Sequence, residues 1–308
     1  MQSKPQKTLA KPVVVEGVGL HTGVECRLKI KPSNDNAGLF FTRTDLDQLS
    51  VIRADVDNVI ETNRGTVLEK NGLKVHTVEH ILAALYALGI DNAEMEISGH
   101  EPPILDGSAL PFVTAINEAG FKVLTEPKDI LKIDQKIRYI DSDNDIELII
   151  LPHESFKITF FMDYGLPNFG LQYSSIEDVA LEFESEIAPA RTFGLLSEIT
   201  TLKDNGLIKG GNLGNAVVFV DQDVDEKERK KLSKTMGKSI DLNFKKGSIL
   251  NAEGLRYDNE PVRHKVLDLI GDLSLFGRPL LGHVIAKKSG HSANIELVKL
   301  LRSHYYEN

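Results

Sequence analysis

The chain has 308 residues, a formal net charge of −9, 41% apolar and 26% charged residues, and a single cysteine. That length suffices for two ordinary domains; the charge argues against bulk nucleic-acid binding but leaves room for a local basic pocket that takes a phosphorylated small molecule; and one Cys excludes an intrachain disulfide and suits a reducing compartment. The N-terminus has no apolar signal core, and the longest apolar run, Ile81 to Ile90, is too short to span a bilayer, so a soluble, cytoplasmic protein without a membrane span is expected.

Residues 8 to 60 read as strands: Thr8 to Val15, Val24 to Ile30, Leu39 to Thr42 and Val51 to Val59. Cys26 reads as a small core or edge residue. Gly17-Val18-Gly19-Leu20-His21-Thr22-Gly23 is a tight turn presenting His21; a strand follows it, whereas a phosphate-binding glycine loop requires a helix. Thr62-Asn63-Arg64-Gly65-Thr66 is a polar turn, and Asn71-Gly72 signals a hairpin. A helix then opens at Val78-Glu79-His80-Ile81 and is stopped by Gly89. An acid in the first helical turn is what the dipole prefers, and beside a metal-bound His80 the same Glu79 becomes a natural general base; for Glu79 alone both readings stand. The strand Ala93 to Ile97, the turn Ser98-Gly99-His100 and a helix from Ala109 to Glu118, capped by Ser108, complete this half. Asp106 reads as an Asx-turn.

Residues 121 to 135 look like the link between halves, with Pro127 breaking order. Strands resume at Ile137 to Ile140, Ile146 to Leu151 and Phe156 to Phe161, and Met162 to Pro167 turns. Asp163 and Tyr164 there can stack on and hydrogen-bond a base or sugar, or simply end a strand. After Pro189-Ala190-Arg191-Thr192-Phe193-Gly194 come a short helix (Leu195 to Lys203), Asn205-Gly206, Gly210-Gly211 and a strand (Ala216 to Val220), a βαβ-like excursion with apolar lining. It is a packed satellite core or an open channel for an acyl chain. Residues 222 to 246 read as a charged, solvated segment.

Asn259 or Asp258 can cap a helix whose first turn holds Pro261. Val262, Val266, Leu269, Ile270, Leu273 and Phe276 make its apolar stripe. His264, Asp268 and Asp272, spaced i, i+4, i+8, form a ridge outside that stripe. His264 and Asp268 suit one metal ion or a solvated i, i+4 pair. A strand from His283 to Ala286, then Ser289-Gly290-His291, then a helix from Ala293 to Leu301 follow. Helix, strand, Ser-Gly-His, helix therefore occurs twice, with a Val two residues before the His in each first helix. Small residues (Ala83, Ala84 and Ala87; Gly271) let two such helices approach closely. Packed face to face, they bring His80 across to His264 and Asp268. The expected fold is α+β: two similar α/β sandwich domains, residues 1–127 and 128–308, with the metal site between their helices.

Six ordered motifs then carry a resemblance: Gly17 to Gly23, His76-Thr77-Val78-Glu79-His80, Gly99 to Ser108, Ala190-Arg191-Thr192-Phe193-Gly194, Val262-Arg263-His264-Lys265-Val266-Leu267-Asp268 and Lys288-Ser289-Gly290-His291. From about residue 8 to 303 the chain resembles the UDP-3-O-acyl-N-acetylglucosamine deacetylases, the zinc amidases of lipid A biosynthesis. The resemblance implies one Zn2+ held by His80, His264 and Asp268, Glu79 as general base on the attacking water, His291 as the acid that protonates the leaving amine, and Asp272 tuning it. It implies that Thr192 hydrogen-bonds the oxyanion, that Lys265 and Lys288 meet the glucosamine and diphosphate, and that Asp163 and Tyr164 lie near the uracil. His21, Phe193, Gly210 and Gly211 are further expected substrate contacts, and the excursion over about 190–221 is the expected acyl-chain passage. The partner is a small-molecule substrate and the protein is expected to be a monomer. Gly214-Asn215 departs from a small residue and Cys in many relatives, which leaves the acyl length open. Fe(II) also suits a His/His/Asp site. Some relatives are fused to a hydroxyacyl-carrier-protein dehydratase, and a chain ending at Asn308 fits a stand-alone enzyme or a shortened piece. The alternative reading is a catalytically silent nucleotide-sugar-binding relative; a purely structural metal protein is disfavoured by three ligands with an open fourth position.

Overall fold

The structure is a computed structural model and describes residues 4–46, 50–166, 169–225 and 245–306. The first half contributes strands β1 (Pro5–Leu9), β2 (Val13–Val18), β3 (Glu25–Pro32), β4 (Leu39–Arg43), β5 (Ser50–Arg53), β6 (Val59–Glu61), β7 (Val67–Lys70), β8 (Leu73–Val75), β9 (Ala93–Ile97) and β10 (Phe121–Pro127), with helices α1 (Glu79–Ala87) and α2 (Leu110–Ala119). The second contributes β11 (Leu131–Lys132), β12 (Ile137–Asp141), β13 (Ile146–Leu151), β14 (Phe156–Leu166), β15 (Phe169–Ile176), β16 (Phe193–Leu195), β17 (Val217–Phe219) and β18 (Leu280–Lys287). Its helices are α3 (Val179–Glu182), α4 (Leu196–Asp204), α5 (Glu260–Ser274) and α6 (His291–Tyr306).

The internal repeat is visible as topology. One sheet has the order β2-β3-β9-β4-β5 and the other β12-β13-β18-β14-β15. In each, the strand after the metal-side helix enters the middle, antiparallel to one neighbour (β3 or β13) and parallel to the other (β4 or β14). The excursion is a true βαβ unit, with β16 and β17 parallel around α4, so the fold is mixed α+β as expected.

Helices α1 and α5 pack directly on each other. A Cβ placed on Gly271 would fall 2.2 Å from the carbonyl oxygen of Glu79, so at this crossing only glycine fits. Around it one apolar core runs without a break from the first half (Ile81, Leu82, Met95) into the second (Leu269, Ile270, Val284). The ridge of His264, Asp268 and Asp272 is not a solvated face: all three are buried.

Several elements differ from the sequence reading. Thr8 to Val15 is two strands, because β1 pairs with β10 while β2 pairs with β3. Thus residues 121–127, read as linker, are a strand. Val51 to Val59 is broken by a 3-10 turn at Val56–Asn58, where Asp55 accepts from the Asp57 amide. The turn expected from Met162 is a continuation of β14 to Leu166, with a register shift after Asp163 and Gly165 at φ +64°. Asn259 does not cap α5; its side chain instead binds the Tyr173 carbonyl and the Arg263 guanidinium. The Asn71-Gly72 hairpin forms between β7 and β8, with both residues at positive φ. Most of the charged segment 222–246 lies outside the described residues.

Substituting Gly271→Ala is expected to lower unfolding stability by at least about 1–3 kcal/mol, because the new methyl meets backbone rather than a movable side chain. Urea unfolding of both proteins measures the difference; equal midpoints would mean that the two helices are not locked at this point.

Candidate active site

Helix α1 begins at a strained residue. Thr77, β-branched, sits at φ +51°, a costly conformation that its surroundings must impose. The buried Glu101 carboxylate imposes it, accepting from the Thr77 hydroxyl at 2.7 Å and, on the other side, from the Thr22 hydroxyl and the His21 and Thr22 amides. The next turn aims Glu79 and His80 into the seam with α5. Both are buried, at 2% and 4% exposure, which a dipole-satisfying surface acid would not be.

Across the seam, α5 presents His264 and Asp268 one turn apart. One ligand nitrogen or oxygen from each of His80, His264 and Asp268 lies within 4.8 Å of the others. His264 Nδ1 donates to the Ala190 carbonyl at 3.0 Å, which fixes its tautomer and leaves Nε2 facing Asp268 Oδ1 at 3.3 Å. His80 Nε2 is 4.0 Å from the same oxygen, and His80 Nδ1 is buried without a hydrogen-bond partner. Burial, reinforced by His264, lowers the His80 imidazole to about 3, and burial also lowers His264. Burial works against the Asp268 charge, but Lys265 and the neighbouring histidines hold it well below the usual carboxylate range. Two uncharged imidazoles, one ionised carboxylate and an unpartnered buried nitrogen are the donor set a divalent metal requires. Among the described residues this is the one such cluster.

The Ala190 carbonyl is itself held in place. Arg191, beside it, forks onto the fully buried Glu260 of α5 through its backbone amide, Nε and Nη2 at 2.9, 2.9 and 3.1 Å. Helix α5 thus carries His264 and, one turn earlier, the acid that positions the carbonyl to which His264 donates.

His291 opens α6 and approaches the cluster from the side. Its Nδ1 donates to Asp272 Oδ2 at 2.9 Å, and its Nε2 lies 3.9 Å from Glu79 Oε1 and 3.8 Å from Asp268 Oδ2. Burial disfavours its charge, yet Asp272 outweighs burial and raises the imidazole to about 9. Asp272 is fully buried and fully used: its Oδ1 accepts from the Thr66 hydroxyl at 2.6 Å, and its Oδ2 also accepts from Asn294 Nδ2 at 2.8 Å. Glu79 Oε2 accepts from the Thr66 amide at 3.0 Å. Burial raises the Glu79 carboxyl to about 7, with the His291 charge opposing the rise. A carboxyl near 7 beside a cationic imidazole can take one proton and deliver another at neutral pH.

Lys265 is half-buried, with its Nζ 2.8 Å from Asp268 Oδ2 and 5.7 Å from the Phe193 ring centre. Burial opposes its charge, and Asp268 keeps it protonated, above the ordinary lysine range. Phe193 meets Tyr164, Phe219 and His264 edge-on, so Tyr164 belongs to the rim of the site. Asp163 is exposed and accepts from the Gly165 amide, and Lys288 pairs with Asp145 on the outside; the structure does not bring these two to the metal cluster. Thr192, half-buried, is tied by its amide to the Gly107 carbonyl at 2.7 Å. His21 rests its Nε2 against the Arg64 carbonyl at 3.3 Å, and burial lowers its imidazole. Gly210 lies against that loop so closely that a Cβ would be 2.2 Å from the Gly19 carbonyl oxygen, and the Gly210 amide donates to Leu20. Its glycine is explained by chain packing. Sequence reasoning missed Thr66, Asn294 and the role of Glu101. Only Asn294 had a readable signal, its i+3 spacing from His291 on one helix face.

A family profile described as "LpxC: UDP-3-O-acyl N-acetylglycosamine deacetylase" matches residues 6–235 and 229–303. The bifunctional enzyme LpxC/FabZ of Chlorobaculum tepidum is 42% identical over 98% of this chain and 65% of its own length. The protein of the same name from Bacteroides thetaiotaomicron is 41% identical over 96% of this chain and 64% of its own. The UDP-3-O-acyl-N-acetylglucosamine deacetylase of Idiomarina loihiensis is 42% identical over 96% of this chain and 89% of its own. The chain therefore spans somewhat less than two thirds of the two bifunctional relatives.

Asp268→Ala is expected to abolish tight divalent-metal binding and to cost about 1–3 kcal/mol of stability, since it leaves the half-buried Lys265 ammonium without its partner. Metal content after dialysis and urea unfolding measure the two effects; full metal retention would remove Asp268 from the ligand set.

Proposed function

We propose that this chain, which belongs to the family of UDP-3-O-acyl-N-acetylglucosamine deacetylases, removes the N-acetyl group of UDP-3-O-acyl-N-acetylglucosamine, a step of lipid A biosynthesis, releasing acetate and a free amine. The observation that carries this reading is the meeting, at one buried seam, of two uncharged imidazoles and an ionised carboxylate with a carboxyl near 7 and an imidazole near 9. We assign one Zn2+ to His80, His264 and Asp268. Bound there, it supplies Lewis-acid polarisation of the amide carbonyl and lowers the pKa of an attacking water toward about 7.

The protein's own part follows from where its protons sit. Glu79, gripped by the Thr66 amide, takes the proton of the attacking water. His291, kept cationic by Asp272, faces the same space with Nε2 and gives its proton to the departing nitrogen, without which an amine is a poor leaving group. Thr192 is assigned to hydrogen-bond the amide oxygen as it gains charge, because donors fixed before the reaction lower its barrier, and Lys265 is assigned to the glucosamine and diphosphate. Tyr164 and Phe193 form an aromatic rim for the nucleotide-sugar end, and Lys288, Asp163 and His21 are assigned to the outer part of the substrate, with Gly210 and Gly211 lining its approach. The β16-α4-β17 unit receives the 3-O-acyl chain. We divide the chain into units 1–127 and 128–308 and place it in the cytoplasm as a monomer; among the described residues no helix is long and apolar enough to cross a membrane.

Acetate release from the acylated substrate is the direct test. Glu79→Gln is expected to reduce it about 10²–10⁴-fold while zinc stays bound; a zinc-loaded wild type without turnover would overturn the reading. A second prediction concerns pH. His291 acts as the protonated form, so activity is lost as pH rises through its pKa. Asp272→Asn removes the anion that raises that pKa, and the alkaline limb of kcat/KM is expected to move about 1–3 pH units lower. An unmoved limb would show that another group titrates there.

A further inference from the structure

Helix α4 rests on a small core of its own, in which Leu196, Ile199, Leu213, Val218 and Val220 gather with Leu250, while Val217 and Phe219 of β17 belong to the main core. A segment that packs on itself opens and shifts at lower cost than the elements of the main core. Among the described residues, α4 meets the first half through a two-pronged ion pair, and the loop after it does so through the Lys209 and Gly210 amides, which donate to the His21 and Leu20 carbonyls. Arg64 Nη2 meets Glu198 Oε1 at 2.6 Å and Arg64 Nη1 meets Glu198 Oε2 at 3.1 Å, the parallel fork that fixes orientation as well as distance.

Arg64 is an unusual place to anchor a strap. It sits at φ +64°, where a bulky side chain is rarely found, and its carbonyl carries the His21 contact. Two residues on, Thr66 holds both halves of the proton chemistry, Glu79 through its amide and Asp272 through its hydroxyl. Between them, a Cβ on Gly65 would come within 3.1 Å of Glu79 Oε1. A displacement of the Arg64 backbone is therefore passed along two peptides to the groups that hold the base and the acid's partner. The half-buried Tyr164 phenol, on the rim of the site, feels the charges of Lys265, Asp268, Glu198 and Arg64.

We propose that Arg64 and Glu198 are positioning residues that couple the apolar unit to the catalytic turn, so that an acyl chain seated in that unit speeds the chemical step. The proposal rests on the deacetylase reading above. A seated chain holds α4, so that the closed fork persists and Thr66 stays in register; without one the fork opens more often and the turn relaxes with it.

The experiment compares acetate release from 3-O-acylated and unacylated UDP-N-acetylglucosamine by the zinc-loaded enzyme, its Arg64→Met and Glu198→Gln variants and the charge-exchanged double variant R64E/E198R. Each single change is expected to lower kcat for the acylated substrate by up to about fivefold, the ceiling for a partly exposed pair. KM should move less, and kcat for the unacylated substrate should stay as it was. The double variant should recover most of the loss, and 1 M salt should mimic the single variants. Equal losses on both substrates, an effect confined to KM, or no recovery in the double variant would overturn the coupling. A wild type that releases no acetate from either substrate would instead overturn the deacetylase reading on which the coupling stands.

Discussion

The approach of two helices at Gly271 is the constraint on which the rest depends. With the Glu79 carbonyl where a side chain of residue 271 would be, α1 and α5 are as close as backbones allow, and their inward faces have no room for large apolar groups. Short-reaching polar side chains fill the seam instead. His80, His264 and Asp268 come within ligand distance because the helices that carry them cannot separate, and Glu79 is buried because its own peptide forms the contact.

Such a seam is expensive to build. Glu79, Asp268, Asp272, Lys265 and His291 all lie in or against it, and each charge removed from water costs several kcal/mol unless it is partnered. The arrangement answers this by pairing each one: Asp268 with Lys265, Asp272 with His291, Thr66 and Asn294, Glu79 with the Thr66 amide. The buried Arg191–Glu260 fork does the same work one step further out, holding the carbonyl that orients His264.

Much of this was legible in the chain. The meeting of His80, His264 and Asp268 could be read because these residues recur at helical spacing in two matching segments, and the small residues beside them said that the segments meet. The Asn71-Gly72 hairpin was legible because its turn demands those residues. What escaped lacks periodicity or inverts it. Thr66 sits in a polar turn like many others, and its two bonds join partners 13 and 206 residues away. The edge strand β15 carries Leu171 and Tyr173 outward and Ser174 inward, the reverse of the pattern by which strands are recognised. The segment 121–127 looked like a linker because nearly all its side chains are exposed; only its pairing with β1 makes it a strand.

The two Ser-Gly-His turns show how a repeated plan yields unlike parts. In the first half, the Arg43 guanidinium points at His100 Nδ1 from 3.3 Å; arginine can only donate, so that nitrogen must offer a lone pair. In the second, Asp272 faces His291 Nδ1; a carboxylate can only accept, so that nitrogen must offer a proton. One ring is thereby fastened through an acceptor and the other through a donor. The sign of a single neighbour separates them, so one contact decides whether the same turn leaves its ring neutral or protonated.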